Sequence, residues 1–328
     1  VWSVELGDHP VGLAPARAGK SIAVLGGSGT MHVLDAATGK TERSFSVHAE
    51  GALTMAASAH ATFVVTGGMD KKACIVDVEA GAVTASLDAD ADWVEHVAVA
   101  PDGGHVAIAA GKHVRFFASS GAEVGRFGPC ASSVAAIAFS PDGKRVAIAR
   151  YGGVDLVSLD GRQVTELLWK SSIVSVAWQP KERFFAVGCQ DNAVHFWRLP
   201  TGEDSMMGGY PAKPKALAWS EDGTSLATGG GEEIVVWSFR GRGPEGSTPV
   251  VLKGHTKLVT VLAGSPTDQR FASGGRDGLF CIWRPQRSET PVAQLAMSGP
   301  VAHVCFRADG THAMAADEKG RVVLLKLP

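Results

Sequence analysis

Short apolar runs alternate with polar turns along this chain, and the alternation itself repeats. Ser140-Pro141-Asp142-Gly143 leads into Val146-Ala147-Ile148, and Ser220-Glu221-Asp222-Gly223 leads into Ser225-Leu226-Ala227. Ala100-Pro101-Asp102-Gly103 and Ala308-Asp309-Gly310 open similar runs. With the Asp of that turn as a marker, equivalent positions fall at Ala18, His60, Asp102, Asp142, Lys181, Asp222, Thr267 and Asp309, between 39 and 45 residues apart. Apolar runs this short, bounded by Gly, Pro, Asp and Ser, read as strands rather than helices. In the seventh unit they fall at 258–263, 270–273, 280–284 and 291–296, with Gly274-Gly275-Arg276-Asp277-Gly278 turning the chain between the second and third. Gly67-Gly68-Met69-Asp70 and Gly188-Cys189-Gln190-Asp191 repeat that turn, and the expected role of the glycines is a positive φ.

A period near 40–45 residues with four strands per unit is the sequence form of a β-propeller blade. Such units cannot bury their faces singly, so the 328 residues are read as one domain spanning 1–328 rather than two. The last unit supplies three strands only, at 301–306, 312–315 and 322–327. Residues 1–6 supply the fourth, closing the ring and removing an open edge. The expectation is an all-β, eight-bladed propeller of four-stranded antiparallel blades, with thirty-two strands. The longest interval holds residues 240–247, read as a flexible, solvated insertion in the sixth unit.

Composition narrows the possible functions. The net charge of −2 gives no global attraction to nucleic acid or anionic membrane, and no concentrated basic stripe is present. Five widely spaced cysteines, without a Cys-x-x-Cys, favour a reducing compartment and a cytoplasmic location. No run of 18 apolar residues occurs, so no membrane span is expected. The chain starts at Val1, which leaves a removed leader or a further domain open.

The seventh unit carries Gly254-His255, Ser273, Asp277 and Ile282-Trp283, and with these residues the chain resembles the WD-repeat family of β-propellers. The resemblance implies that His255, Ser273, Asp277 and Trp283 form a structural hydrogen-bond network, each buried polar group satisfying another. The second unit keeps His48, Thr66 and Asp70 but has Val76 for the Trp. The fifth keeps Asp191 and Trp197, and the sixth keeps Thr228 and Trp237. The remaining units have lost the set and must rely on apolar packing.

Several residues invite a chemical reading. Ser273, His255 and Asp277 have the residue types of a hydrolase triad, but the Ser lies within a strand rather than on an exposed nucleophile turn. Asp88, Asp90 and Asp92 alternate like the start of a calcium loop, yet the twelfth position is Val99 and no Gly stands sixth. His96 and His303, each six residues before a marker, fall in units three steps apart around an eight-blade ring, a poor placement for a shared metal unless both reach the central channel. Asp35-Ala36-Ala37-Thr38-Gly39-Lys40 looks like a quinoprotein turn, but no two cysteines are neighbours. No cofactor or metal is expected, and the reading is a non-enzymatic interaction scaffold, monomeric by itself, for a protein or peptide partner. The alternative is a propeller enzyme or ligand-binding protein, quinoprotein-like or metal-dependent hydrolase-like, using a central channel. By family geometry the partner face carries the loops leading into each first strand and the hairpins between second and third strands. Met69, Gln190 and Arg276 stand in those hairpins, and Asp90, Asp92, Trp93, Lys213, Lys215 and Lys257 in the incoming loops. An eight-membered ring would place the acidic loop of unit three opposite the basic loop of unit seven.

Overall fold

The structure is a computed structural model that describes residues 1–16, 19–57, 62–90 and 92–327. The marker positions Ala18 and His60 lie outside the described residues. Among the described residues, thirty strands form seven antiparallel sheets, not eight. Six have four strands, beginning at Pro10–Ala16, Ala52–Ala56, Val94–Val99, Ala216–Trp219, Val259–Gly264 and Val301–Phe306. The remaining sheet has six, in the order Ala136–Phe139, Arg145–Ser158, Val164–Trp178, Phe184–Cys189, Val194–Arg198 and Asp204–Met207.

This corrects the expected eight blades and thirty-two strands, and the local sequence explains why. Val164–Trp178 contains no Gly, Pro, Asn or Asp in fifteen residues, and Ser171-Ser172 alone do not break the strand where unit four passes into unit five. Arg145–Ser158 is likewise continuous, because Arg150-Tyr151-Gly152-Gly153 lacks the Asp acceptor that closes the equivalent hairpins. Its register against Val164–Trp178 shifts between Tyr151 and Gly153. Seven sheets leave no eight-membered ring to set the acidic loop of unit three opposite the basic loop of unit seven.

By its contacts the chain divides into two compact units, Asp8–Ile173 and Val1–Gly7 with Val174–Pro328. In each, the core lies where the faces of successive sheets meet. In the first, Val65, Ile75, Val94, Val106 and Ile108 pack together. In the second, Ala227, Ile234, Val259, Phe271 and Trp283 do so. Trp2–Glu5 pairs with Arg321–Lys326, Trp2 opposite Leu324, so the N-terminal strand forms the edge of the C-terminal sheet.

The paired glycines before the turn Asp are not there for a positive φ, which none of Gly67, Gly68, Gly274 and Gly275 has. They are there for close approach. A Cβ on Gly274 would stand 2.3 Å from Val301 Cγ1, and one on Gly67 2.5 Å from the Val94 carbonyl oxygen. Their neighbours make room for an imidazole: Cβ atoms on Gly68 and Gly275 would sit 2.4 and 2.7 Å from His48 and His255 Nδ1. Positive φ falls instead after the Asp, at Lys71, Asn192 and Gly278.

A register shift near the start of the first strand recurs in five sheets, between Pro10 and Gly12, Ala52 and Thr54, Val94 and His96, Val259 and Val261, and Val301 and His303. Such bulges re-aim side chains. Thr260 thereby reaches the Val301 carbonyl of the next sheet at 3.0 Å. Residues 240–247 are largely exposed, as expected, but they are also held in place. Arg198 Nε donates to the Arg242 carbonyl at 2.7 Å, its guanidinium pairs with Glu245, and Arg183 reaches the Gly241 carbonyl at 3.1 Å.

Candidate functional site

The incoming loops and the second-to-third-strand hairpins are clamped together by their backbones. Arg276 N donates to the Leu258 carbonyl at 2.9 Å, Met69 N to Gly51 at 3.0 Å, and Glu318 N to Pro300 at 2.9 Å. Lys257 and Arg276 are therefore brought side by side, both exposed. Asp90, Asp92, Trp93, Gln190, Lys213 and Lys215 are exposed as well, and Trp93 presents 53% of its surface to solvent. Met69 is half-buried beside Gly51.

The acidic loop is partly self-neutralised. Arg115 pairs with Asp90 at 3.4 Å and with Glu123 at 2.5 Å, and it also reaches the Asp88 carbonyl. Glu123 in turn pairs with Arg126 at 2.8 Å. Burial pushes the Glu123 carboxyl up, but Arg115 and Arg126 together hold it below its ordinary value.

Beneath the Lys257–Arg276 surface lies a chain of polar contacts. Asp277 meets His255 Nδ1 at 3.1 Å, and His255 Nε2 lies 2.7 Å from Ser273 Oγ. Trp283 Nε1 donates to the same hydroxyl at 2.8 Å. Asp277 also accepts from Thr256 N at 2.8 Å and Leu279 N at 3.0 Å, tying the incoming loop to the hairpin. Burial works against the charge on Asp277, but those two amides and His255 outweigh it, and the carboxyl stays below its ordinary value. Burial, with Asp277 adding to it, pushes the neighbouring Cys281 thiol up to about 12. Ser273 is fully buried within Phe271–Gly275, and its oxygen is engaged by both His255 and Trp283.

The second sheet makes a shorter chain. His48 Nδ1 meets Asp70 at 2.9 Å and Nε2 meets Thr66 at 2.8 Å, while Val76 occupies the Trp position. Elsewhere the polar partners are new. Tyr210 OH lies 2.7 Å from Thr228 Oγ1 and accepts from Trp237 Nε1 at 2.8 Å, so tyrosine fills the His role. Sequence reading missed it, although Tyr210 precedes Thr228 by the same 18 residues that separate His255 from Ser273. Arg150 forms a bidentate pair with buried Asp155 at 2.7 Å per bond. Asp317, also buried, accepts from the amides of Ser298, Gly299, Lys319 and Arg321 at 2.8–3.0 Å.

The remaining chemical candidates resolve into local structure. Asp88 caps its own loop, accepting Asp90 N at 2.9 Å. Asp35 closes its turn on the amide and hydroxyl of Thr38 at 2.7 and 2.6 Å. His96 is half-buried, and that burial lowers its pKa against the opposing pull of Glu95. Among the described residues, no group of three or more His, Cys, Asp or Glu side chains is placed to hold a metal ion.

Comparison with known proteins agrees with this geometry. Residues 39–77, 161–198 and 246–284 match the model of the WD domain, G-beta repeat. In those three stretches the chain resembles WD-repeat proteins. It is 32% identical over 117 residues to the Arabidopsis thaliana protein named cell division cycle 20.1, cofactor of APC complex, covering 35% of this chain and 24% of that one. It is 27% identical to Arabidopsis thaliana THO complex subunit 3 over 36% of this chain and 38% of that one. The ribosome biogenesis protein WDR12 homolog of Drosophila mojavensis is 28% identical over 31% of this chain and 25% of its own. Each match thus spans well under half of the relative's length. Among solved structures, the computationally designed Ika8 protein superposes with a TM-score of 0.84 over 98% of both chains at 18% identity, a likeness of fold alone.

Proposed function

We propose that this chain is a non-enzymatic interaction scaffold or adaptor that presents its incoming loops and adjoining hairpins to a protein or peptide partner. The observation that carries the reading is the backbone clamp between them, seen at Arg276–Leu258, Met69–Gly51 and Glu318–Pro300. It holds exposed side chains on a rigid base, which lowers the ordering cost of binding. Trp93, Arg276 and Lys257 are of the kinds that interaction hot spots and steering surfaces use. The burial of Ser273, engaged on both sides, argues against hydrolysis through the His255–Asp277 set. Relatives whose names place them in multisubunit complexes support the same reading.

The scaffold would be monomeric by itself and would act in a reducing, cytoplasmic setting, which suits five cysteines that form no disulfide among the described residues. No helix among the described residues is long and apolar enough to cross a membrane. The test is capture of partners from the native organism by the parent protein and by a Lys257→Glu/Arg276→Glu variant. A partner lost only by the variant supports the reading. Partners retained equally by both, with Met69, Trp93 and Gln190 substitutions equally silent, would overturn it.

A further inference from the structure

Above the Tyr210–Thr228–Trp237 chain lies a cleft of about 350 Å³ lined by Tyr210, Pro211, Val235, Trp237, Glu232 and Glu233. That size falls at the lower end of the range for small-ligand sites. Two loops make it: the one leading into Ala216–Trp219, and the hairpin between Ser225–Gly229 and Ile234–Ser238. Ala212 N donates to the Gly230 carbonyl at 2.7 Å and locks the loops together. They close this tightly because Gly231 has no side chain, since a Cβ there would lie 2.7 Å from Pro211 Cγ. On the other side Gly208 and Gly209 are exposed, and a Cβ on Gly209 would meet nothing within 4 Å, so the mouth is open.

The chemistry of the lining is one-sided. Aromatic rings and a proline make the wall, and two adjacent carboxylates make the rim. Glu232 and Glu233 are exposed, and neither has a hydrogen bond or ion pair among the described residues. Lys213, two residues beyond Pro211, pairs with neither of them. The cleft at Asp90, Asp92, Arg115 and Arg126 differs, because Arg115 there already pairs with Asp90 and Glu123 and Arg126 with Glu123. Trp237 is also pre-organised, its indole N–H pinned by Tyr210 OH, so little freedom is lost when a ligand stacks on it. An aromatic wall attracts a cation through the ring quadrupole, and uncompensated carboxylates attract it by charge.

We infer that this cleft takes a lysine or arginine side chain from a partner polypeptide. The inference rests on the protein-binding reading and assigns it a specific pocket. It is tested with small peptides, so that its failure leaves the Lys257–Arg276 surface to be judged separately.

The protein is labelled with 5-fluorotryptophan, and the Trp237 fluorine resonance is assigned by its absence in Trp237→Phe. It is titrated with acetyl-Gly-Arg-Gly-amide and acetyl-Gly-Lys-Gly-amide, with acetyl-Gly-Glu-Gly-amide as the anionic comparison. The expected result is a saturable shift of the Trp237 resonance with the cationic peptides and none with the anionic one. Glu232→Gln/Glu233→Gln should weaken the cationic binding by about fivefold or more while leaving the unliganded spectrum in place. No shift with either cationic peptide, an equal shift with the anionic one, or unchanged binding in the double variant overturns the inference.

Discussion

Tyr210 bonds the Thr228 hydroxyl at 2.7 Å from 18 residues upstream, the same spacing and distance at which His255 meets Ser273. Two side chains of different chemistry thus link an incoming loop to a buried hydroxyl on the second strand. The Trp differs in its attachment. Trp283 donates to the strand hydroxyl itself, whereas Trp237 donates to the tyrosine. Tyr210→Phe therefore orphans the Trp237 N–H and removes one partner of buried Thr228. It should lower stability by about 1–3 kcal/mol in denaturant melts. Thr228 keeps its bond to the Val235 carbonyl at 2.9 Å, which favours the lower end of that range. No measurable loss would mean that the hydroxyl contributes nothing.

His255→Ala or Asp277→Ala should also cost about 1–3 kcal/mol, because each leaves buried polar partners unmet. Asp277→Ala additionally frees the amides of Thr256 and Leu279 and loosens the loop carrying Lys257. His9→Ala should matter little, since that side chain is exposed. Equal losses at His9 and His255 would contradict the hydrogen-bond account.

Acid should destabilise the protein through His195. Its side chain is fully buried, lies 3.2 Å from Asp204 and packs edge-on against Trp197. Burial lowers its pKa from 6.5 to about 4, against the opposing pull of Asp204 and Asp191. The unfolded chain therefore takes up the proton first as pH falls. The contribution is full above about pH 6.5 and is lost progressively down to about pH 4. His195→Gln should flatten the dependence of unfolding free energy on pH across that window, whatever it does to stability at pH 7.5. An unchanged slope would assign the acid response to other groups.

Removing residues 1–8 strips Trp2–Glu5 from Arg321–Lys326 and bares a strand edge. The truncated protein should melt at a lower temperature and self-associate, because unpaired edges template new pairing. Scattering and melting indistinguishable from the parent would mean that this strand is dispensable.

The repeat and the strands of the seventh unit were legible in the sequence to within two residues, because turn residues punctuate apolar runs there. Fusion into a six-stranded sheet was legible only as an absence, the fifteen residues of Val164–Trp178 without Gly, Pro, Asn or Asp. The Gly-Gly pairs were recognised as turn markers but given the wrong physical reason. Close approach to Val301 or to an imidazole is a tertiary fact with no local signature. Residue type hides Tyr210, a tyrosine where two other sheets use histidine, although its 18-residue spacing to Thr228 is the same. Residues 240–247 read as flexible by composition, although they are held. The partners that hold them, Arg183 and Arg198, lie more than forty residues upstream.

The central claim is that Lys257 and Arg276, clamped side by side, contact a protein partner. Its most direct measurement is the association rate of a recovered partner at several salt concentrations, for the parent and for Lys257→Glu/Arg276→Glu. The account predicts slower association and a shallower salt dependence in the variant, because rim charges act chiefly on encounter. Identical rates and identical salt dependence in both proteins would contradict it.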